Sequence, residues 1–237
     1  MIQPRNYPEF IGQSLMLEPE PFVALVDDDN PWIEGLFLTA VAGVLVGIAK
    51  LIGGWLLTAS LPASASVLEV LMQGLTGSGI LGQMADPVAA QAGLRQVINL
   101  LFVQSGYGSG ALGLLVLILV PISYIGQWLY FGLVGHGIAR LMGGTGTLGQ
   151  SFGAMSLMVA PRILLLLTVI PFVSVGSTLL LVWSTLIVFR ALEVSHELGW
   201  QQAAIATVIL LVGFVLLLML IGGLVAGGIS LWLGGVL

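Results

Sequence analysis

The chain has 237 residues, of which 58% are hydrophobic and 7% are charged, and its net charge is −5. A soluble globular domain carries about 25% charged residues, so this chain has too few polar groups to cover its surface in water. Seven of its eleven carboxylates fall within the first 34 residues, beside one arginine, Arg5. Such an acidic segment repels nucleic acid. The composition therefore predicts an integral membrane protein with no nucleic-acid partner, and the absence of cysteine excludes disulfides and thiol chemistry.

Residues 1–34 are predicted to form an acidic N-terminal tail, and 35–237 a membrane domain. Five prolines favour a loosely structured tail with one short helix over 20–26. An apolar run then covers 35–61 and is interrupted only by Lys50. A helix rises 1.5 Å per residue, so about 20 residues cross a hydrocarbon core about 30 Å thick. This run is therefore the first predicted transmembrane helix.

Residues 62–110 are too polar to span a membrane and are predicted to form a large loop with amphipathic helices. Ser66-x-x-Glu69 matches a capping box, which places a helix start at Ser66. Asp86-Pro87 matches a second start, with an N-cap aspartate before a proline. In the helix that follows, the apolar face holds Ala90, Leu94, Val97, Ile98 and Leu101, and the polar face holds Gln91, Arg95 and Asn99. We expect this helix to rest on the membrane surface, and a glycine-rich flexible turn over 106–110 to follow it.

Four more apolar runs predict the remaining spans, at about 111–134, 154–172, 174–192 and 203–221. The stretch 154–192 is nearly twice as long as one crossing needs, so Pro171 and Gly176 are taken as the tip of a helical hairpin. Thr147-x-x-Gln150 is a capping box that opens the helix before it. The predicted fold is an all-α polytopic transmembrane helical bundle with five spans and a large, partly helical loop after the first.

The region from Gly135 to about Leu220 resembles the Yip1 domain family of five-span membrane proteins, and the spacing of the spans extends the resemblance to about 20–221. The matching positions are Gly143, Gly144, Thr145, Gly146, Thr147, Gln150, Ala160, Pro161, Ile170, Pro171, Trp183, Leu192, Glu193, His196 and Leu198. Eukaryotic members are linked to Rab GTPases, vesicle traffic and membrane shaping, and carry an Asp-Leu-Tyr-Gly-Pro stretch before the first span. This chain has Asp28-Asp29-Asn30-Pro31-Trp32 there, which is similar to the bacterial and archaeal branch.

Two motifs suggest chemistry, but their context argues against it. Gly144 to Gly149 matches the dinucleotide pattern G-x-G-x-x-G, yet it lies between two membrane helices rather than between a strand and a helix. Glu193-x-x-His196 has the spacing of a di-iron ligand pair, but such a site needs a second pair and two further glutamates. We interpret the glycines as a tight turn and the Glu193 segment as a polar loop between spans. His136 is interpreted as an isolated histidine at headgroup level. The sequence predicts no cofactor, no metal and no catalytic residue.

Lys50 and Arg162 are the cations that lie away from the ends of the predicted spans. A charge at mid-membrane costs about 2.5–3.5 kcal/mol on insertion scales, so it either faces other helices or reaches the interface. For Lys50 both alternatives stay open, while Arg162 lies nearer a helix start, which favours the interface. Gly43-x-x-x-Gly47 allows close helix packing, either within the chain or in a homo-oligomer.

These features favour a non-enzymatic membrane protein that organises the membrane or binds other membrane proteins and lipid. The alternatives are a small-molecule or ion carrier that uses Lys50 and Arg162, and an accessory subunit of a larger membrane complex. A cytoplasmic N-terminus places Arg5, Arg140 and Arg190 inside and Arg95 outside, which follows the positive-inside rule. The expected location is the inner membrane of a prokaryote.

Overall fold

The computed structural model describes the backbone of residues 6–83, 86–105, 107 and 110–234, and within these ranges all side chains except those at 100, 103–105, 110–112 and 225–234. The described residues contain no β-strand, and the all-α prediction is confirmed. The α-helices are α1 Tyr7–Leu15, α2 Glu20–Val26, α3 Pro31–Ser60, α4 Ser64–Gly77, α5 Pro87–Ser105, α6 Val116–Leu141, α7 Leu148–Met155, α8 Ser177–His196 and α9 Trp200–Gly234. Helices of the 3-10 type cover Leu81–Gln83, Gly110–Leu115 and Ser156–Val169.

Five stretches of the described chain are long and apolar enough to cross a membrane, which confirms the predicted number of spans. They are Pro31–Ser60, Gly113–Leu141, Leu148–Val169, Ser177–His196 and Trp200–Leu224. The third stretch begins earlier than predicted because the Thr147 cap starts α7 at Leu148. Helix α9 continues beyond the predicted end of the last span.

The third stretch changes helix type partway along. After α7, residues Ser156–Val169 form a 3-10 helix that contains Pro161. A 3-10 helix rises about 2.0 Å per residue, so these 14 residues cover about 28 Å, where an α-helix would cover about 21 Å. The main-chain carbonyl of Met158 accepts a hydrogen bond from the Ser184 hydroxyl at 3.2 Å. The 3-10 geometry thus gives these 14 residues a length close to the thickness of a hydrocarbon core.

The acidic segment is more ordered than its prolines predict. Residues 20–26 form α2 with the predicted bounds, but α1 was not predicted, so a loosely structured tail is wrong for 7–15. Pro8 and Pro21 occupy the first turns of these helices, where a backbone N–H has no intrahelical partner to lose. Prolines that suggested irregular structure are therefore compatible with short helices.

The two predicted helix starts in the 62–110 loop have different outcomes. Asp86 Oδ1 accepts hydrogen bonds from the N–H groups of Val88 (3.1 Å) and Ala89 (3.0 Å), which confirms it as the N-cap of α5. The capping box at Ser66 is wrong, because α4 begins at Ser64 and no side chain caps it. The turn predicted over 106–110 lies largely outside the described residues.

The chain divides into two compact units. The first unit comprises 1–40, 124–161 and 177–237. In its core α1 and α2 pack against α7 and α8, and Phe22 and Leu25 are buried. A Cβ on Gly35 would lie 2.7 Å from the Phe152 carbonyl oxygen, so α3 begins in close contact with α7.

The second unit comprises 41–123 and 162–176. Glycines let its helices approach closely: a Cβ on Gly43 would lie 2.7 Å from Pro121 Cα, and one on Gly47 would lie 3.3 Å from the Val116 carbonyl oxygen. A Cβ on Gly53 would lie only 1.9 Å from the Thr168 carbonyl oxygen. The Gly43-x-x-x-Gly47 pair therefore packs α3 against α6 within the chain.

Candidate functional site

Most of the sequence-predicted site residues of the first unit meet at one end of it, where α6 and α8 end and α7 and α9 begin. We call residues 136–151 and 190–202 the polar end. Helix α6 ends with the Gly144 N–H donating to the Ala139 carbonyl at 2.9 Å and with Gly143 at φ +92°. Helix α8 ends with the Leu198 N–H donating to the Glu193 carbonyl at 3.2 Å. Both are Schellman motifs, which need a residue with positive φ after the helix.

The residue in that position differs between the two motifs. Gly143 adopts a positive φ freely, whereas Glu197 holds φ +54° at a cost of about 1–2 kcal/mol for a residue with a side chain. The Glu197 carboxylate accepts a hydrogen bond from the Thr145 hydroxyl at 3.1 Å, which links the two helix ends. The tight turn interpreted within Gly144 to Gly149 lies one residue earlier, at Gly143, and the strained counterpart at Glu197 was not foreseen.

The loop after α6 lies directly on the end of α8. The Thr145 N–H donates to the His196 carbonyl at 3.1 Å. A Cβ on Gly146 would lie 1.9 Å from the Ser195 carbonyl oxygen, and one on Gly144 would lie 2.8 Å from His196 Cβ. Real Cβ atoms do not approach so closely, so Gly146 is required by contact with the α8 backbone and Gly144 by contact with the His196 side chain.

Beneath this loop a buried polar cluster joins three helices. The Ser151 hydroxyl of α7 lies 2.7 Å from His196 Nε2 and 3.1 Å from His136 Nδ1, and it donates to the Thr147 carbonyl at 3.0 Å. A serine hydroxyl has one proton and two acceptor lone pairs, so with that proton on Thr147 both imidazoles donate to Ser151. We call His136, Ser151 and His196 the histidine cluster. The interpretation of His136 as isolated is wrong, since its ring lies 5.1 Å from that of His196.

The histidine cluster resembles a serine–histidine nucleophilic pair only in its atom types. Ser151 and His196 are both 0% exposed, so a substrate does not reach them in this conformation. In a catalytic pair the other imidazole nitrogen is oriented by a third group. Among the described residues His196 Nδ1 has no hydrogen-bond partner. The arrangement satisfies polar groups between helices and holds the polar end together.

The metal interpretation of Glu193-x-x-His196 receives no support from the geometry. Glu193 forms an ion pair with Arg190 one turn earlier on α8, and His196 is engaged by Ser151. In the described ranges no group of three His, Cys, Asp or Glu side chains is placed to hold a metal ion.

Exposed side chains surround the histidine cluster. Arg140 donates to the carbonyls of Gly144 (3.1 Å) and Thr145 (3.3 Å), and Gln202 donates to the Met142 carbonyl at 3.2 Å. Two large apolar side chains beside these bonds face outward: Leu141 is 90% and Trp200 is 66% exposed. We call Arg140, Leu141, Thr145, Glu197 and Trp200 the rim.

The other predicted positions have structural contacts. Gln150 completes a capping box with Thr147, as predicted: the Thr147 N–H donates to Gln150 Oε1 at 2.8 Å and the Gln150 N–H donates to Thr147 Oγ1 at 3.3 Å. Pro161 is buried within the 3-10 helix. The Trp183 indole donates to the Leu15 carbonyl at 2.9 Å and so fastens α1 to α8.

Pro171 and the two intramembrane cations belong to the second unit. Pro171 lies in the turn Ile170–Val173, which the Val173 N–H closes on the Ile170 carbonyl at 3.2 Å. In the same unit Lys50 is exposed on α3, and Arg162 is close enough for the two cations to repel each other. The sequence did not predict this proximity, because nothing in the spacing of two distant residues indicates it.

Similarity to known proteins is found at the level of the family. The family model for the Yip1 domain matches residues 14–223, which include the histidine cluster, the rim and every sequence-predicted site residue. No curated protein and no solved structure matches the chain significantly.

Proposed function

We propose that the chain, which belongs to the Yip1 domain family, is a non-enzymatic integral membrane protein that binds other membrane-associated proteins through the rim of its polar end. The observation that carries this proposal is the contrast between the two layers of that end. The inner layer is buried and hydrogen-bonded, and the outer layer exposes an arginine, a tryptophan and a leucine. Arginine and tryptophan are enriched where protein interfaces bind most strongly.

The position of α1 and α2 supports the proposal that the polar end lies outside the hydrocarbon core. These helices pack on the middle of α8 and on α7, through the Trp183–Leu15 hydrogen bond and a close approach of Gly153 to the Leu25 carbonyl. Exposed carboxylates lie along the chain from α1 to just past the end of α2, at Glu9, Glu18, Glu20, Asp27 and Asp29. Because a carboxylate in hydrocarbon costs several kcal/mol, we infer that this segment lies outside the hydrocarbon core.

The length of α9 allows the rim to lie outside the hydrocarbon core. On α9 the Leu210 carbonyl accepts a hydrogen bond from the Tyr130 hydroxyl at 3.1 Å. The 24 residues from there to Gly234 cover about 36 Å, enough to cross the hydrocarbon core.

Site-specific photo-crosslinking in native membranes tests the partner proposal. A photoreactive residue at Trp200 is expected to give protein adducts of discrete mass. The matched control is Leu216, which is exposed on the same helix at a depth expected to face lipid, and should give lipid adducts. Lipid adducts alone at Trp200 would contradict a protein-binding rim.

One observation favours a carrier as the second candidate. Lys50 and Arg162 lie near each other in apolar segments, and two cations in such a setting attract an anion. Purified protein in liposomes should show no saturable anion flux if the first proposal is right. A saturable flux that Lys50→Leu abolishes would favour the carrier.

We also propose a cytoplasmic N-terminus in the inner membrane of a prokaryote, supported by the placement of Arg140 and Arg190 on the predicted inner side. Reporter fusions at Gly146 and after Leu237 test this. The first should be active as a cytoplasmic reporter and the second as an external one. The reverse pattern would overturn the orientation, and cytoplasmic activity at both positions would refute the five-span count.

A further inference from the structure

The hairpin of α4 and α5 in the second unit carries an open cleft of about 370 Å³ on its surface. Its lining includes Glu69 and Gln73 from α4, and Gln91 and Arg95 from α5. Met72 also lines the cleft and is 2% exposed, so one part of the lining is a buried apolar side chain. Ligand pockets begin at about 300 Å³, so the cleft has room for one small polar group.

The cleft carries one charge of each sign, and neither charge is fully used by the protein. Arg95 Nη2 lies 3.9 Å from Glu69 Oε1, which is too long for a hydrogen bond. The two side chains are 43% and 64% exposed. The guanidinium can therefore still bind an anionic group with its planar fork of N–H donors, and the carboxylate can still accept from a cation.

The surroundings of the cleft are apolar. The hairpin exposes Val70 (67%), Val88 (78%) and Leu101 (56%). Leu94 and Ile98, which share the predicted apolar face of α5, are only half-buried. In a chain with five stretches able to cross a membrane, lipid is the molecule that such a surface meets.

We propose that this cleft binds the headgroup of phosphatidylethanolamine. The lipid phosphate binds the Arg95 guanidinium, the primary ammonium donates to the Glu69 carboxylate, and the acyl chains lie along the exposed apolar face. A quaternary ammonium such as choline is typically held by aromatic rings, and the described lining residues include none. A primary ammonium needs hydrogen-bond acceptors instead, which Glu69 and the amide oxygens of Gln73 and Gln91 supply. This inference is independent of the rim and does not rest on the proposed partner binding.

Calorimetric titration of the purified full chain in mild detergent tests the proposal, with dihexanoyl phosphatidylethanolamine, phosphatidylcholine and phosphatidylglycerol as probes. The ethanolamine lipid is expected to bind about tenfold more tightly than the other two, since only it satisfies both charges. Glu69→Gln should remove this preference and leave phosphatidylglycerol binding unchanged. Arg95→Gln should weaken all three lipids.

Two controls identify the cleft. Glu18→Gln removes an exposed carboxylate in the first unit, and Gln96→Ala changes an exposed neighbour of Arg95 that does not line the cleft. Neither should alter binding. Equal affinity for all three lipids, or full ethanolamine preference in Glu69→Gln, would overturn the proposal.

Glycerophosphoethanolamine, which has the headgroup without acyl chains, separates a lipid from a soluble ligand. It is expected to bind at least tenfold more weakly than the lipid, because it leaves the face around Val70 and Leu101 uncovered. Equal affinity would assign the cleft to a soluble phosphoethanolamine and overturn the assignment to lipid.

Discussion

The polar end of the first unit and the α4–α5 hairpin of the second unit differ in how their polar groups are buried and paired. At the polar end the Ser151 hydroxyl, which is 0% exposed, binds two imidazoles and a carbonyl. In the hairpin, Glu69 and Arg95 face each other at 3.9 Å and remain exposed. Buried polar groups that bind one another across helices favour one arrangement of those helices, whereas exposed charges contribute little to stability and stay available to a ligand. The first set therefore stabilises the packing of the helices, and the second is the set that we propose to bind lipid.

The largest expected effect tests how tightly the polar end is built. Gly146→Ala places a methyl group 1.9 Å from the Ser195 carbonyl oxygen, so the loop must move away from α8. We expect a loss of about 3 kcal/mol or more in the free energy of unfolding. Gly137→Ala is the control, because its Cβ meets nothing within 4 Å on α6, and it should gain up to about 1 kcal/mol. Unfolding by SDS titration in mixed micelles measures both. Equal stabilities would mean that the loop is not held against α8.

The next effect concerns the histidine cluster. Ser151→Ala leaves the imidazole nitrogens of His136 and His196 without their shared partner, and we expect a loss of about 1–3 kcal/mol. Ser123→Ala on α6 is the matched control, since the Ser123 hydroxyl is exposed and bonds only to the Val120 carbonyl of its own helix. Its cost should stay below about 0.5 kcal/mol. If the two variants unfold alike, the cluster does not hold the helices together.

A third prediction extends the comparison to a buried carboxylate. Tyr7 donates to Glu34, which is 3% exposed, and burial together with this carboxylate raises the pKa of the Tyr7 phenol above its ordinary value. The folded state then favours the neutral phenol. Its contribution to stability is complete below about pH 10 and is lost as the pH rises from there towards the folded pKa.

Thermal unfolding in detergent between about pH 8 and about pH 11 measures this effect. The wild-type melting temperature should fall more steeply with pH than that of Tyr7→Phe, which has no phenol to ionise. Parallel pH profiles for the two proteins would show that the Tyr7–Glu34 contact does not contribute.

The smallest expected effect belongs to the hairpin. Glu69→Gln and Arg95→Gln should each change the free energy of unfolding by less than about 0.5 kcal/mol in lipid-free detergent, and their coupling in a double-mutant cycle should be as small. A coupling above about 1 kcal/mol would place the pair among the structural contacts and end the contrast with the polar end.

Several features of the chain followed from the sequence alone. The five spans, the Thr147–Gln150 capping box and the Asp86 N-cap depend on apolar length and on contacts within three or four residues. Such local rules depend on neighbouring positions, and Thr147 and Gln150 also belong to the positions on which the family resemblance was based. Local patterns gave wrong predictions in two places: the capping box at Ser66, and the loose structure expected of the proline-rich segment.

Only the tertiary structure decided which distant residues meet. Nothing in the spacing of His136, Ser151 and His196 indicates that they share one hydrogen-bonded cluster, or that Gly146 is needed because it lies on the Ser195 carbonyl. Glu69 and Arg95 line the same cleft only because α4 and α5 pack against each other. The physical reason is that the spacing of residues along a helix defines which of them share a face. Which residue of another helix that face meets depends on how the two helices cross, and no local pattern specifies the crossing.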